Sequence, residues 1–312
     1  MTLTSASGKA ILFGEHAVVY DQPAIAVPLS QMRATVQVEN LDQGTNGVLI
    51  DAPDISRSFW LHEADGDDDP LASAVRLTLD ELGLEAPLQA HLTIHSQLPI
   101  ASGLGSSAAI SVAIIRALSN YIGKAMKVET ISKIAFAVEC IHHGTPSGID
   151  NTVIAYEKTV YFVRENKPEF IPLINPLNLI IGDTGVSIKT AIPVGLLRER
   201  WEKDPGTYGA WFKEIGEIVK EARTKLQAGS IESLGALMNR NHLLLEDMGL
   251  SSRELQLLVS AAREAGALGA KLSGAGMGGV MIALVMPDFA QMVEGALRKA
   301  GAKQVFTIEV DR

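Results

Sequence analysis

The sequence contains almost no cysteine, because Cys140 is the only one among its 312 residues. A single thiol cannot form an intrachain disulfide, as is usual for proteins of reducing compartments. Long hydrophobic runs are also missing, since the most apolar stretch, 279–286, is far shorter than the about 20 residues that span a bilayer. The N-terminus lacks the charged-then-apolar pattern of a signal peptide. We therefore expect a cytoplasmic protein with no membrane partner.

An excess of positive charge is absent as well. Lys and Arg total 27 and Asp and Glu total 36, which gives a net charge of −9. Proteins that bind nucleic acids usually carry a basic surface, so we expect no nucleic-acid partner. Aromatic residues make up only 5%, but the apolar fraction of 47% is that of a globular protein. The length predicts two domains.

The first half of the chain combines strand and helix patterns. Apolar and polar residues alternate over 33–39, which predicts a half-buried strand. Periodic apolar residues predict helices over 71–82, 106–121 and 129–141. The last of these helices is expected to bury a face that includes Ile141.

Two further segments of the first half have weaker patterns. Residues 51–70 are polar and acidic, so we expect a surface loop there. Residues 152–163 are expected to form two short strands around Glu157 and Lys158.

The proline-rich segment 166–176 predicts a linker between two domains, which we assign to 1–172 and 173–312. The second half alternates between helix and strand patterns. Helices are predicted over 191–203, 208–227, 231–247, 252–265 and 288–300, and strands over 177–181, 280–285 and 304–310, with another just before Ser273. This order predicts an antiparallel sheet with helices on one side, an α+β arrangement.

The first glycine-containing segment, Pro99–Ala109, precedes a predicted buried helix. Backbone N–H groups at the N-terminus of a helix stabilise an anion, and small side chains let a phosphate approach them. A serine hydroxyl in the first turn can either coordinate Mg²⁺ or cap the helix. An N-cap after a flexible turn is an equally good interpretation of this segment alone. The segment is neither a Walker A loop nor a dinucleotide fingerprint.

The second segment, Lys271–Gly279, has four glycines in its last six residues. Glycine is costly in chain entropy unless the backbone requires it. A loop that packs against a ligand is one such requirement, and a tight turn between two strands is the alternative.

Charged residues of interest lie in two other segments. Lys9 opens an apolar strand, and Glu15 and His16 follow Gly14. Taken singly, Lys9 can also be interpreted as a surface lysine that extends its amine to water. His16 can also be interpreted as a hydrogen-bonded structural histidine.

Glu139 lies near the end of an apolar helix, and buried carboxylates are rare unless they are paired or bind a metal. Asp150 follows a Pro-Ser-Gly turn, precedes a predicted strand, and is a candidate base. His142 and His143 are adjacent, so on a helix they diverge by about 100° and are not expected to share a metal. We expect Cys140 to serve packing only.

Together these segments closely resemble the GHMP small-molecule kinases, and most closely the mevalonate kinases among them. Gly8–Tyr20 is similar to the opening motif of that family, and Pro99–Ala108 to its phosphate loop. Glu139–Asp150 and Lys271–Gly279 match two further motifs, and all four occur in the family order. The resemblance implies a two-domain α+β fold, with a ribosomal S5 domain 2-like N-terminal domain and a ferredoxin-like C-terminal domain with extra helices.

The resemblance also implies an activity, the ATP-dependent phosphorylation of the primary hydroxyl of mevalonate. Asp150 would act on that hydroxyl as base or orienting group, and Lys9 would stabilise charge near the γ-phosphate. Ser107 and Glu139 would hold Mg²⁺. ATP would contact Pro99, Ser102, Gly103, Leu104, Gly105, Ser106, Ser107, Gly274, Ala275 and Gly276. Mevalonate would contact Glu15, His16, Ser147, Gly148 and Thr190.

Two residues depart from the family pattern. Asp21 and Met277 stand where glycine is common, and Met277 is expected to add bulk beside the phosphates. The alternatives in function are another GHMP kinase acting on a different hydroxy acid or sugar, a related decarboxylase, and a non-catalytic ligand sensor on the same fold. The argument against the sensor is that the sequence retains four residues together, Lys9, Ser107, Glu139 and Asp150. A homodimer is an open alternative to a monomer.

Overall fold

The structure is a computed structural model that describes residues 1–41, 47–64, 69–84, 88–99, 102–143 and 146–311, without the side chains of His142 and His143. The chain divides into two compact units that alternate along the sequence. The first unit comprises Met1–Gly8, Met32–Pro99 and Gly105–Glu157, and the second comprises Lys9–Gln31, Ile100–Leu104 and Lys158–Arg312. This division reflects contact density, and the domain bounds 1–172 and 173–312 stay a prediction.

The larger sheet has seven strands in the order β4-β3-β5-β2-β6-β7, and β1 pairs with β2. The bounds are β1 Thr2–Phe13, β2 Ala24–Asn40, β3 Val48–Ala52, β4 Arg57–Trp60, β5 Ala90–Ser96, β6 Val160–Phe162 and β7 Glu169–Phe170. The strand predicted over 33–39 lies within β2, and its Ala34, Val36 and Val38 are fully buried. The alternation of burial along β2 confirms the half-buried strand.

The described residues of the first unit form four α-helices, which are α1 Pro70–Leu82, α2 Ser106–Ile122, α3 Val128–His143 and α4 Ile149–Tyr156. They pack against one another, both between consecutive helices and between α1 and α3 and between α2 and α4. Helix α1 begins where the Asp69 carboxylate accepts the N–H groups of Leu71 and Ala72, a typical N-cap. Helix α2 is mostly apolar and ten of its 17 residues are buried, which confirms the buried helix that its sequence predicts.

The second unit contains a four-stranded sheet in the order β11-β8-β10-β9, and all its pairs are antiparallel. Its strands are β8 Leu177–Asp183, β9 Gly269–Ser273, β10 Val280–Val285 and β11 Gln304–Val310. The helices are α5 Ala191–Lys203, α6 Pro205–Gln227, α7 Ile231–Asp247, α8 Arg253–Glu264 and α9 Ala290–Lys299. Each predicted helix and strand of this half is confirmed to within a few residues.

Two expectations for the remaining segments are wrong. The described residues of the segment 51–70 do not form a plain loop, because β4 pairs with β3 there between two short 3-10 turns. Residues 65–68 lie outside the described part of the chain. The two strands expected over 152–163 are the helix α4 followed by the single strand β6. The predicted linker 166–176 contains the two-residue strand β7, which pairs with β6, and its assignment as a boundary between domains stays a prediction.

The structure changes the predicted buried face of α3 at one residue. Ile141 is 41% exposed rather than buried. Among the described residues, none of the helices has the length and apolar character needed to cross a bilayer.

Two arginines fix the end of α4, the helix that carries Asp150. The Glu157 carboxylate accepts hydrogen bonds from Arg33 at 2.8 Å and from Arg116 at 2.7 Å, and Arg116 also donates to the Ala155 carbonyl at 2.9 Å. Burial alone raises the pKa of Glu157, but the hydrogen bonds from Arg116 and Arg33 outweigh it, so the pKa lies below its usual value. The carboxylate is therefore charged and secures the C-terminal end of α4.

Candidate active site

The two glycine segments contact each other within the second unit. A Cβ atom on Gly103 would lie 3.3 Å from the Ser273 carbonyl oxygen and 3.5 Å from Cα of Gly274. A Cβ atom on Gly274 would lie 3.2 Å from Cα of Gly103. Both glycines have a positive φ, so a side chain at either position is strained as well as crowded. The glycines are therefore required where the two segments meet.

The loop 274–279 joins two paired strands, as the turn alternative requires. Strands β9 and β10 are antiparallel neighbours, with Ser273 opposite Val280. The loop is nevertheless longer than a two-residue hairpin turn. Its backbone packs against other segments, because the N–H groups of Met277 and Gly279 donate to the carbonyls of Leu250 and Val186 at 2.6 and 2.8 Å. A tight turn alone does not account for these contacts.

The N-terminus of α2 has no serine cap. Gly105, with a φ of 75°, occupies the N-cap position, and the helix begins at Ser106. The Ser107 hydroxyl donates instead to Oε1 of Glu139 at 2.7 Å. The serine-capping alternative is therefore wrong for Ser107.

Ser107 and Glu139 bring together a hydroxyl and a carboxylate, two kinds of oxygen that magnesium binds. The Glu139 carboxylate lies on α3 and is 7% exposed. Its oxygen is 2.7 Å from the Ser107 hydroxyl, close to the about 3 Å between neighbouring ligands in an octahedral shell with Mg–O distances near 2.1 Å. Mg²⁺ usually takes one or two protein carboxylates, with water and phosphate oxygens completing the shell. In the described part of the chain, no group of three or more His, Cys, Asp or Glu residues could hold a metal without such ligands.

Asp150 lies in the first turn of α4 rather than before a strand. The helix starts after Gly148, whose φ of 85° redirects the chain, and the Ser147 hydroxyl accepts the Ile149 N–H at 3.4 Å. The next residue, Asn151, is buried and donates to Ser132 from α3. Asp150 is only partly buried, so a carboxylate is held on a rigid element with part of its surface accessible.

Lys9 lies inside β1 and is only 3% exposed, so the alternative of a surface lysine is wrong. Its backbone N–H donates to the Leu104 carbonyl at 2.9 Å. The strand that carries Lys9 is thereby bound to the first glycine segment.

Glu15 and His16 are also buried. The His16 Nε2–H donates to the carbonyl of Ala275, in the second glycine segment, at 2.9 Å. Burial lowers the pKa of His16 to about 4, so the ring is neutral near pH 7. The geometry fits the alternative of a hydrogen-bonded structural histidine. Thr190, by contrast, is an exposed residue at the start of α5.

Sequence reasoning missed the partner of Glu15. The Lys271 ammonium on β9 forms an ion pair with the Glu15 carboxylate, and both side chains are fully buried. Burial raises the pKa of Glu15 and lowers that of Lys271, while the pairing opposes both shifts. The signal available in the sequence was a lysine in an otherwise apolar strand, directly before the second glycine segment.

Asp21 and Met277, which stand where the family commonly has glycine, share a backbone feature that favours glycine. Each has a φ of 60°, in the left-handed region that favours glycine. The positions where the family carries glycine are therefore positions where this chain carries a strained side chain.

Comparisons with known proteins identify the family of the chain. Residues 70–158 match the family described as GHMP kinases N terminal domain, and residues 222–303 match GHMP kinases C terminal. The chain is 37% identical to the mevalonate kinase of Thermococcus sibiricus, in an alignment that covers 98% of this chain and 95% of that protein. The chain belongs to the mevalonate kinase family of GHMP kinases.

Other members of the family cover the chain to a similar extent. The mevalonate kinase of Pyrococcus horikoshii is 38% identical, with 98% of this chain and 94% of that protein covered. The crystal structure of L. major mevalonate kinase in complex with R-mevalonate superposes with a TM-score of 0.85 at 31% identity, covering 100% of this chain and 96% of that one. The two-domain GHMP kinase fold is thus confirmed, and the chain is a kinase.

Proposed function

We propose that the protein transfers the γ-phosphoryl group of ATP to the primary hydroxyl of mevalonate, which gives 5-phosphomevalonate and ADP. The substrate follows from the full-length similarity to mevalonate kinases. The observation that carries the chemistry is the partly buried Ser107–Glu139 pair at the start of α2, since a hydroxyl and a carboxylate are typical ligands of the magnesium that accompanies ATP.

ATP is the phosphoryl donor, and its phosphates contact the two glycine segments. The backbone N–H groups of Gly103, Gly105 and Ser106 donate to phosphate oxygens, because this helix N-terminus has no side-chain acceptor at its N-cap. Pro99, Ser102, Leu104, Gly274, Ala275 and Gly276 complete the contacts. Magnesium, when bound through Ser107 and Glu139, neutralises charge on the transferred phosphoryl group.

Asp150 accepts the proton of the substrate hydroxyl, or orients that hydroxyl for attack. A primary alcohol is a weak nucleophile near pH 7, and a carboxylate in hydrogen-bond reach compensates for this. Lys9 stabilises the charge that develops on the phosphoryl oxygens. Its burial within β1 favours such a role, because an ammonium in a weakly hydrated site interacts more strongly with an anion.

The hydroxy acid contacts Glu15, His16, Ser147, Gly148 and Thr190. Ser147 and Gly148 immediately precede the helix that carries Asp150, which supports their assignment. We retain 1–172 and 173–312 as the domain bounds, because each family match falls within one of them. The proposed partners are ATP and mevalonate, and no nucleic acid or membrane partner is proposed. The proposed location is the cytoplasm, and the homodimer is an alternative that measurement of the oligomeric state would test.

The experiment that tests the function is a substrate panel. The purified protein is incubated with ATP and MgCl₂ and one of mevalonate, phosphomevalonate, homoserine or galactose, and ADP release is coupled to NADH oxidation. We expect turnover with mevalonate alone, and a phosphorus NMR signal of a phosphomonoester on the terminal carbon. Turnover with another acceptor instead would favour a different GHMP kinase. Binding of ATP without turnover of any acceptor would favour the ligand sensor.

A further inference from the structure

Lys271 is a fully buried lysine on β9 to which the proposed chemistry gives no role. Its ammonium forms the ion pair with Glu15 and also donates to the Leu272 carbonyl at 2.7 Å. Removing two charges from water is expensive, and a buried ion pair is often no more stabilising than apolar side chains of the same volume. Stability alone therefore gives no reason for this pair, and its geometric effect has to be considered.

The pair fixes the middle of a segment whose three residues are each bound to a different element. The Gly14 N–H donates to Oδ1 of Asn241 on α7 at 3.2 Å. Glu15 binds Lys271 on β9, and His16 donates to the Ala275 carbonyl. The segment 14–16 is thus bound to a helix, a strand and the second glycine segment at once.

The backbone of this segment is strained. His16 has a φ of 60°, which a residue with a side chain rarely adopts and which persists only where the surroundings hold it. Gly14 cannot carry a side chain, because its Cβ atom would lie 2.6 Å from Cα of Ala24. Since the hydrogen bond to Ala275 starts from the strained residue, the conformation of segment 14–16 and that of the loop 274–276 depend on each other.

We propose that Lys271 is a positioning residue of the phosphate-binding site: its ion pair with Glu15 holds segment 14–16, and His16 in turn holds the loop 274–276. The Glu15 carboxylate is fully buried and pairs with Lys271 through Oε1, so the contact that it is proposed to make with the hydroxy acid also depends on this pair. This inference rests on the proposed function for the identity of the ligand, the phosphate groups of a nucleotide.

The test compares Lys271→Met, Glu15→Gln and the double variant with the unmodified protein. The matched control is Lys220→Met, which removes the lysine of an exposed ion pair with Glu217 on α6. ATP and ADP affinity is measured by calorimetry, kcat and both KM values by the coupled assay, and the melting temperature by circular dichroism. Calorimetry reports on the inference even if mevalonate is not the substrate, so the two proposals fail separately.

We expect Lys271→Met to lower the melting temperature, because it leaves the Glu15 charge buried without its partner. The double variant removes both charges and should recover most of that loss. Its nucleotide affinity and kcat should nevertheless stay reduced by about 10- to 100-fold, the scale of a misplaced binding group. Lys220→Met should match the unmodified protein throughout.

Two results would overturn the inference. A double variant that binds nucleotide and turns over as the unmodified protein does would show that the pair only stabilises the fold. If Glu15→Gln and the double variant raised only the KM for the hydroxy acid and left nucleotide affinity unchanged, the pair would serve that substrate and not the phosphate-binding loop. Should Lys271→Met fail to fold, the double variant still provides the decisive comparison.

Discussion

Met277, in the second glycine segment, is one of the residues other than glycine that have a positive φ. A left-handed conformation costs a side-chain-bearing residue about 1–2 kcal/mol. Glycine avoids that cost and loses about 0.5–1 kcal/mol through the greater freedom of its unfolded chain. Strain relief is the larger of the two effects, so glycine should be the more stable residue at position 277.

We therefore expect Met277→Gly to raise the free energy of unfolding, by about 1 kcal/mol or less. The matched control is Met292→Gly in α9, where the side chain is 53% exposed and the backbone is helical. That variant should be less stable by about 1 kcal/mol. Urea unfolding measures both. A loss of stability in both variants would mean that the contacts of the Met277 side chain outweigh its backbone strain.

Asp150 is the residue on which the proposed mechanism depends most. We expect Asp150→Asn to retain nucleotide and mevalonate binding and to reduce kcat by about 10²–10⁴-fold, the usual contribution of a general base. Steady-state kinetics and calorimetry measure the two effects. The position in the first turn of α4 makes the fold tolerant of the change, because Asn also suits the start of a helix.

The control for Asp150→Asn is Asp288→Asn, which makes the same change in the first turn of an exposed 3-10 helix and should leave kcat unchanged. The comparison is valid if the melting temperatures of the two variants agree within a degree or two. Such an agreement corresponds to a difference in stability on the order of a few tenths of a kcal/mol. Near-normal turnover of Asp150→Asn would rule out both roles, base and orienting group.

Single residues differ in how well the sequence predicts them. A carboxylate on an apolar helix indicates a buried, partnered group, and Glu139 is such a residue. The pairing of Glu15 with Lys271 could not be predicted, because 256 positions separate them and only the fold brings them together. The burial of Lys9 has the same cause, since the local pattern around a lysine at the edge of a strand fits water as well as a core.

At the scale of elements, the bond between Ser107 and Glu139 joins the first turn of α2 to the last turns of α3. We expect Glu139→Gln to raise the Mg²⁺ concentration that gives half-maximal activity and to lower kcat, because a neutral amide is a weaker ligand than a carboxylate. The fold should be retained, since the amide oxygen can still accept the Ser107 hydroxyl.

The matched control is Glu129→Gln, an exposed acid at the other end of α3. Activity is titrated with MgCl₂ at saturating ATP for both variants. An unchanged magnesium requirement in Glu139→Gln would identify Glu139 as a structural residue that only orients Ser107.

Elements with a strong periodic pattern are predictable, whereas short ones depend on their neighbours. Helices α6 to α8 follow their patterns closely. Helix α4 does not, because its Thr152, Val153 and Ile154 favour a strand and are helical only where they pack against α2 and α3. Tertiary contacts outweigh local preference in a helix of eight residues.

At the scale of the whole molecule, the sequence predicts two folding units but not their course along the chain. The segment Lys9–Gln31 belongs to the second unit although it precedes most of the first. Contact density defines such units, and contacts between distant segments leave no mark on composition or periodicity. The linker predicted over 166–176 marks a change in local sequence pattern rather than a boundary between these two units.

The dependence of the free energy of unfolding on pH is a property of the whole molecule. One buried histidine, His242, contributes measurably to it. His242 on α7 is 2% exposed, and its Nδ1 accepts the Leu272 N–H at 3.3 Å. Burial, together with the charges of Arg263 and Lys271, lowers its pKa from 6.5 to about 3. The folded protein therefore keeps this ring neutral where the unfolded chain protonates it, so its contribution to stability is complete above pH 6.5 and declines as the pH falls toward 3.

We expect the unmodified protein to lose about 2 kcal/mol more of its free energy of unfolding between pH 7 and pH 5 than His242→Gln does, since one proton corresponds to about 1.4 kcal/mol per pH unit. Urea unfolding at pH 7, 6 and 5 measures the difference. Leu258→Ala in α8, where the leucine is 2% exposed, is the control: it should lower stability equally at each pH, because it removes no titrating group. Parallel pH profiles for the unmodified protein and His242→Gln would mean that the folded protein protonates this ring as readily as the unfolded chain does.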